Sequence, residues 1–335
     1  MSYLPQFTIT GRLLALSEEV AVLRERIQAA AVELSWIPAL QKDTRSRNVH
    51  ASTAIEGNPL TLEQVKALEE GRTLSAPDNR SQREVLNYFA GLRYVETNAA
   101  KKRIHQEHLF TLHRILAGDV MDQGEAGRYR NIFVRVGNYI PPPPDDVSGL
   151  MMELLDWWNK KSVELSPVIS SAILHHRFES IHPFADGNGR TGRALALWEL
   201  YRRGFDTHHI FSVDEFYWED RPAYYAALDS VRRAGDDLTG WLEYAATGLV
   251  KTLERVWVRV QVALPEPGKK LILRPRQEQL LRLLADHGSM SPAEIWAAVG
   301  VSRQGAMDLL HPLIEAGMVE KTGGKKTGRY SLRKL

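Results

Sequence analysis

Apolar residues recur every three or four positions along most of this chain. Leu13, Leu16, Val20, Leu23 and Ile27 open the pattern and predict one long helix from about Gly11 to Trp36. A second helix closes near Gly57 and Pro59, residues that stop helices. Thr61-Leu-Glu-Gln64 reads as a capping box for a short helix ending at Gly71. Further helices are predicted over Gln82 to Thr97, with Val85, Leu86, Phe89 and Leu92 facing inward, and over Gln106 to Ala117. Asp145 or Asp146 can cap a helix carrying Leu150, Leu154 and Trp157 or Trp158, and Ser166-Pro167 starts the next, through Ile169, Ile173 and Phe178. The period returns in Ala194, Leu195, Trp198 and Tyr201 and stops at Gly204. It resumes over Arg221 to Arg233 and again from Thr239 to Leu264.

Two stretches break this rhythm. In Gly127 to Ile140, β-rich runs flank Gly137-Asn138, which predicts a hairpin with a two-residue turn, and Pro141 to Pro144 fixes an extended exit. Pro265-Glu-Pro-Gly-Lys-Lys270 is a composition break, so 265–275 reads as a linker and 276–335 as a separate module. That module shows a helix over Arg276 to His287, a second opened by Ser291-Pro292 and ended by Gly300, and a third capped by Ser302 and running to Gly317. Two short strands, Val319-Glu-Lys and Arg329-Tyr-Ser-Leu, flank a glycine- and lysine-rich turn. The order looks like a winged helix-turn-helix. The expected fold class is therefore mainly α: a helical bundle with a β-hairpin, then a small winged-helix domain.

Composition narrows the function classes. The chain has 335 residues, 44% hydrophobic and 25% charged, with a formal net charge of +2, which is ordinary for a soluble protein of two domains and too weak a charge to argue for nucleic acid or membrane. There is no cysteine, which excludes disulfides, thiolate nucleophiles and Cys-ligated zinc. No apolar run approaches the roughly 20 residues of a membrane span, and the first residues lack the basic-then-apolar order of a secretory signal. The expected location is the cytoplasm, with no membrane partner.

Chemistry concentrates in His182-Pro-Phe-Ala-Asp-Gly-Asn-Gly-Arg-Thr-Gly-Arg193. Gly187-Asn188-Gly189 leads into a helix that starts near Arg190, and a glycine-rich turn at a helix N-terminus is a ready anion site. Arg190 and Arg193 share a face of the first turn, at the positive end of the macrodipole, where they repel each other. An anion with several charges, such as a nucleotide polyphosphate, would compensate both. A carboxylate beside phosphates, here Asp186, is where Mg2+ is usually held. The neutral imidazole of His182 could take a proton from an attacking hydroxyl.

This segment resembles the HxFx(D/E)GNGRxxR signature of Fic-domain proteins at every specified position. The resemblance implies a helical enzyme that moves AMP from ATP onto a Ser, Thr or Tyr hydroxyl of a protein, or of itself, with Mg2+. It implies His182 as the base, Asp186 as the metal ligand, Gly187, Asn188 and Gly189 as the cradle of the α and β phosphates, and Arg190 and Arg193 at the β and γ phosphates. It divides the chain into an N-terminal helical region over 1–120 and a core over 121–264. Related toxin kinases of this fold have an altered Gly-Asn-Gly-Arg, so Gly189 and Arg190 favour AMP transfer over phosphate transfer.

Glu56 sits at the negative end of its predicted helix, where a carboxylate is electrostatically misplaced. By position alone it is either an exposed glutamate or one that wants a cation. Ser52-Thr-Ala-Ile-Glu-Gly resembles the (S/T)xxxE(G/N) inhibitory motif of many Fic proteins, which implies an inhibitory helix near 44–57 and a pair between Glu56 and Arg193. The resemblance also leaves open a second role for Glu56, in removing AMP from the target.

By the same resemblance the hairpin, with Val134, Val136 and Tyr139, is a flap that clamps the target segment, and Tyr225 is an adenosine contact. Without it, the hairpin is structural and the tyrosine is core. His175 and His176 are adjacent, point to different helix faces, and do not make a metal site. In the C-terminal module, Ser302, Arg303 and Gln304 would begin a recognition helix and Lys325 and Lys326 a wing contacting DNA. Ten Lys/Arg against six Asp/Glu from Leu271 onward is a modest surplus, and winged helices also dock proteins or dimerise. The alternative function is therefore a DNA-binding transcription regulator using the Fic domain as a nucleotide sensor; a further one is transfer of phosphate or another nucleotide moiety. Homodimerisation is expected because many Fic proteins dimerise.

Overall fold

A computed structural model describes residues 3–31, 37–74, 79–205, 209–263, 275–315, 317–324 and 328–333. It divides into two compact units, residues 1–28 with 39–257, and residues 29–38 with 258–335.

The helices of the first unit are α1 (Gly11–Ala31), α2 (Ile37–Ile55), α3 (Leu62–Glu69), α4 (Asn79–Asn98), α5 (Gln106–Ala117), α6 (Pro144–Lys160), α7 (Pro167–Ile181), α8 (Asn188–Arg202), α9 (Asp214–Glu219), α10 (Arg221–Arg233) and α11 (Thr239–Ala263). α1, α2 and α11 run past the division between the units. The predicted extension of the first helix to Trp36 falls on 32–36, outside the described residues.

α7 and α8 form the centre. α7 is buried nearly all round, from Val168 through Ile173 and Phe178 to Ile181, and α8 from Asn188 to Tyr201, so neither shows the single apolar stripe of a surface helix. Trp157, Trp158, Trp198 and Trp241 are fully buried around them. Glu199 on α8 has no exposure, yet its carboxylate is satisfied: Trp158 Nε1 donates at 2.6 Å and Ser170 Oγ at 2.7 Å, and Arg202 lies 3.2 Å away. A buried carboxylate held this way fixes α8 against α6 and α7.

Local signals act as expected in several places. Thr61 and Gln64 form both halves of a capping box. Elsewhere the structure corrects the pattern. Leu86 is 40% exposed, because α4 buries Val85, Tyr88, Phe89, Leu92 and Val95 and residue 86 lies off that stripe. Neither Asp145 nor Asp146 caps α6; Pro143 precedes a helix opened by Pro144, and both aspartates sit in the first turn, where they complement the macrodipole.

The predicted hairpin is reduced to its tip. Gly137-Asn138 does turn, but the sole rung described is Val136 with Tyr139. The backbone on either side is satisfied by a side chain instead: Arg130 Nη1 donates to the Ile132 carbonyl at 3.0 Å and Nη2 to that of Pro142 at 2.6 Å.

In the second unit, α12 (Pro275–His287), α13 (Pro292–Val299) and α14 (Arg303–Glu315) pack with β1 (Ser289–Met290), β2 (Val319–Thr322) and β3 (Arg329–Leu332), which form an antiparallel sheet in the order β1-β3-β2. Its core is Leu280, Leu281, Leu284, Ile295, Leu310, Leu313, Val319 and Tyr330. Ser291 and Glu294 make a reciprocal cap for α13, and Ser302 Oγ accepts from the Gly305 N–H at 3.1 Å. The unpredicted element is β1, which pairs its two residues with β3. Most of the expected linker, 265–274, lies outside the described residues.

Candidate active site

The site forms where α7 hands over to α8. α7 ends on His182, whose backbone is left-handed at φ 50° and ψ 61° and whose N–H donates to the Phe178 carbonyl at 2.9 Å. A non-glycine residue adopts that conformation only where its surroundings enforce it. Arg130 does so: its main-chain N–H donates to the Pro183 carbonyl at 2.9 Å and its Nε to that of His182 at 2.8 Å. His113, from α5, braces the other side, stacked on Phe184 with ring centroids 3.6 Å apart. Gly127 N–H donates to its Nδ1 at 2.8 Å, so Nε2 carries the proton and donates to the Asp186 carbonyl at 2.9 Å. Asn188 closes the loop from within, accepting from Phe184 N–H at 2.9 Å and donating to the Phe184 carbonyl at 2.8 Å. Its side chain is thereby committed to the loop, and only its main chain is left for a ligand.

Gly187 has φ 74°, and a Cβ there would press on Ala117 Cβ at 3.2 Å; a Cβ on Gly189 would collide with Glu56 Oε1. Gly187 needs glycine for its backbone, whereas a side chain at Gly189 would displace the Glu56 carboxylate. α8 begins on Gly187 with no side-chain cap, so its first-turn amides remain available to an anion.

Arg190 is 5% exposed, and its Nε and Nη1 have no hydrogen-bond partner. The nearest carboxylates, Glu84 and Asp186, lie 4.0 Å and 3.8 Å away. A buried guanidinium with unmet donors calls for an acceptor.

Arg193 is held by three hydrogen bonds. Its Nε donates to Ser52 Oγ at 2.8 Å, and its Nη2 to the Ser52 carbonyl at 2.9 Å and to Glu56 Oε1 at 2.8 Å. Asp214 Oδ2, which accepts from the Tyr88 hydroxyl at 3.0 Å, stands 3.7 Å from Arg193 Nε. The expected Glu56–Arg193 pair is therefore present, and Ser52 holds the same guanidinium. Burial pushes the Glu56 carboxyl up, but Arg193, with Arg190 and Arg221 behind it, outweighs that and holds it below the ordinary carboxylate range.

Burial lowers the His182 imidazole to about 4, so the ring is neutral and able to accept a proton near pH 7. Burial also raises Glu179 to about 8. Asp186 Oδ1 accepts from Gly187 N–H at 2.6 Å, and the side chain keeps 30% of its exposure. Among the described residues there is no group of three or more His, Cys, Asp or Glu able to hold a metal. One accessible carboxylate beside a phosphate seat fits Mg2+, which takes most of its ligands from phosphates and water. The same residues would not suit a dedicated protein cage.

The remaining expected residues are distributed as follows. Tyr225 is 41% exposed, with its hydroxyl 3.4 Å from both the Ile55 carbonyl and Arg221 Nε, beside the end of α2. Tyr139 donates to the Ser180 carbonyl at 2.7 Å and lies under Arg232 at 3.5 Å, which ties the tip of the hairpin to α7 and α10. Val136 is 38% exposed and Val134 half-buried, while Phe133 and Ile140 beside them are more exposed. His175 and His176 diverge, His175 accepting from the Tyr224 hydroxyl and His176 facing the Leu228 carbonyl. In the second unit Arg303 and Gln304 are exposed, with Gln304 donating to Asp308 at 2.9 Å; Lys325 and Lys326 lie outside the described residues.

The sequence reading missed Arg130, His113, Glu179 and Asp214. Glu179 carried a signal, a carboxylate three residues before His182 on an apolar helix. The others are brought in from elements distant in sequence and carried none.

A glycine turn at a helix N-terminus, a buried arginine with unmet donors, a neutral histidine and a second arginine held by a carboxylate thus meet at one end of α8 in a helical domain. Residues 103–200 match the Fic/DOC family, and the chain carries a Fic domain. Protein adenylyltransferase Fic of Drosophila virilis is 30% identical over 300 residues, covering 88% of this chain and 59% of the relative. Protein adenylyltransferase fic-1 of Caenorhabditis elegans is 34% identical over 221 residues, 64% of this chain and 42% of the relative. The chain thus spans about half the length of the curated relatives it matches. A crystal structure of a Fic family protein from Desulfovibrio desulfuricans G20 superposes with a TM-score of 0.71 at 29% identity, covering 99% of both chains. A structure of C. elegans Fic-1 gives 0.62 at 26% identity, over 75% of this chain and 73% of that one.

Proposed function

We propose that this chain is an auto-inhibited protein adenylyltransferase, moving AMP from ATP to a hydroxyl of a target protein or of itself. The observation that carries the reading is the asymmetry of the two arginines: Arg190 is buried with unmet donors, while Arg193 is held by Glu56 and Ser52. The main-chain amides of Gly187, Asn188 and Gly189, with Arg190, receive the α and β phosphates, and Asp186 would hold Mg2+, which would offset phosphate charge when bound. His182 takes the proton of the target hydroxyl. Glu56 occupies the guanidinium that the γ phosphate needs, so ATP binds with its phosphates displaced from attack geometry. Tyr225 borders the adenosine, and the Val134–Tyr139 segment lies beside the target.

The division into a regulatory region over 1–120 and a catalytic core over 121–264 belongs to the same proposal, as do a homodimeric state and a cytoplasmic location. AMP incorporation from α-labelled ATP with Mg2+, in wild type, Glu56→Gly and Glu56→Gly/His182→Ala, tests the reaction. Label on the single variant and none on the double is expected; label from γ-labelled ATP instead would replace AMP transfer with phosphate transfer.

For the second unit we propose a winged helix with α14 as the recognition helix. Its element order and the Ser302 cap support this, with Arg303 and Gln304 at the exposed start. DNA binding through that surface predicts duplex affinity that falls steeply with salt, and affinity independent of salt would count against it.

A further inference from the structure

Glu179 has no part in the chemistry described so far, yet the fold makes room for it. It lies one turn before His182 on α7 and is largely buried, its side chain 12% exposed, with Oε2 3.7 Å from His182 Nδ1. Gly192 on α8 admits it: a Cβ at that position would collide with Glu179 Oε1, and would press on Phe178 at 3.2 Å. Glu179 Oε1 and His182 Nδ1 are both buried and make no hydrogen bond of ordinary geometry, the main-chain carbonyl of Glu179 being the other acceptor beside the imidazole. Buried polar atoms are rarely left unmatched, and here two of them belong to neighbouring side chains. Closing the gap to hydrogen-bond length takes under about 1 Å, the kind of tightening catalytic contacts undergo when substrate docks.

We propose that Glu179 is the positioning residue for His182, accepting a hydrogen bond from Nδ1–H and so leaving Nε2 unprotonated toward the target hydroxyl. This rests on the adenylyltransferase reading above. The target hydroxyl gives its proton to Nε2, and its oxygen bonds to the α-phosphorus. The bond from that phosphorus to the bridging oxygen breaks, and pyrophosphate leaves with the electron pair. Nδ1 keeps its proton throughout. A raised Glu179 still offers its carbonyl oxygen as acceptor, so the role survives protonation of the carboxyl. The charged groups around the pair are Arg193 from α8, Glu56 at the end of α2, Arg232 from α10 and Arg130 from the loop after α5, with the Tyr224 hydroxyl also near. Each of the others already has partners of its own.

The test has one arm that needs no activity. Histidine ring 15N NMR of the whole chain reports the tautomer of His182, assigned with His182→Ala. The Nδ1–H form is expected in wild type and in Glu179→Gln, whose amide oxygen can also accept, and is lost in Glu179→Leu. In the Glu56→Gly background, Glu179→Leu should lower kcat by about tenfold to a hundredfold with KM for ATP within about twofold, and Glu179→Gln should stay within about threefold of its parent. Glu179→Asp, which withdraws the carboxyl by one methylene, replaces the leucine variant if that does not fold, with the same loss expected. An unchanged tautomer, or an unchanged kcat, in the leucine or aspartate variant overturns the proposal. If the Glu56→Gly parent transfers no AMP, the function reading fails and the tautomer alone decides the role of Glu179.

Discussion

Removing the Glu56 carboxylate should raise activity, the reverse of what mutating an active-site acid normally does. Glu56→Gly leaves Arg193 its two contacts to Ser52 and takes away the Nη2–Oε1 bond at 2.8 Å. Arg193 is 1% exposed and the Glu56 side chain 33%, so one end of the pair is dry and the other opens on the cleft. A hydrogen bond to a charged group contributes about 1.5–3 kcal/mol, and the partial exposure of the carboxylate argues for the lower half, about 2 kcal/mol. That is the free energy ATP must overcome to place its γ phosphate on Arg193, and it corresponds to roughly 30-fold in occupancy of the productive state. At ATP concentrations below saturation, label transfer from α-labelled ATP should therefore rise by about tenfold to a hundredfold, and His182→Ala on top should abolish it. The same truncation should cost the fold a similar, small amount, visible as a modestly lower Tm without ligand. Unchanged or reduced transfer by a folded Glu56→Gly variant would refute the competition. So would a rise that persists undiminished at saturating ATP with no change at low ATP, since the pair would then act on something other than γ-phosphate placement.

Other consequences are open to direct measurement. Ser52→Ala removes one of the three hydrogen bonds to Arg193 and should activate less than Glu56→Gly in the same assay. Asn188→Ala deletes both bonds across the catalytic loop, worth about 1 kcal/mol each; Tm should fall by about 4–8 °C, and ATP-dependent thermal stabilisation should shrink with it. Stability against urea should peak near neutrality. Burial lowers His176 from 6.5 to about 4 and holds His175 well below its ordinary value, so below 6.5 the unfolded chain binds the extra protons and stability falls as pH falls. Burial raises Glu179 from 4.5 to about 8, so there the native state holds the extra proton and stability falls as pH rises toward 8. Below 6.5 the histidines outweigh the single glutamate; Glu179→Gln should flatten the alkaline side and steepen the acid side. Ser291→Ala breaks the capping box of α13 and should speed hydrogen exchange there by an amount equivalent to about 1 kcal/mol, leaving exchange in α7 and α8 unchanged.

By itself the sequence determined most of the helices and the glycine turn that leads into α8. Helical periodicity and caps are local, so α5 and α10 begin and end where the pattern puts them. The signature from His182 to Arg193 is contiguous, and a helix N-terminus approached through glycines binds anions wherever it occurs. The motif around Glu56 pointed to Arg193 only through its resemblance to other inhibitory helices; the charge pattern alone would have left an exposed glutamate. Tertiary structure decided what holds these pieces. The left-handed turn at His182 depends on Arg130, the neutral loop brace on His113, and the second carboxylate near Arg193 on Asp214, all from elements far along the chain. The hairpin failed as a ladder for a related reason. Alternating β-branched residues are read as if backbone groups must pair with backbone, whereas here one arginine side chain takes the carbonyls of Ile132 and Pro142. A side chain that satisfies main-chain groups leaves no periodic mark in the sequence, even from within the same segment, and that is why this part of the site could be found only in the folded molecule.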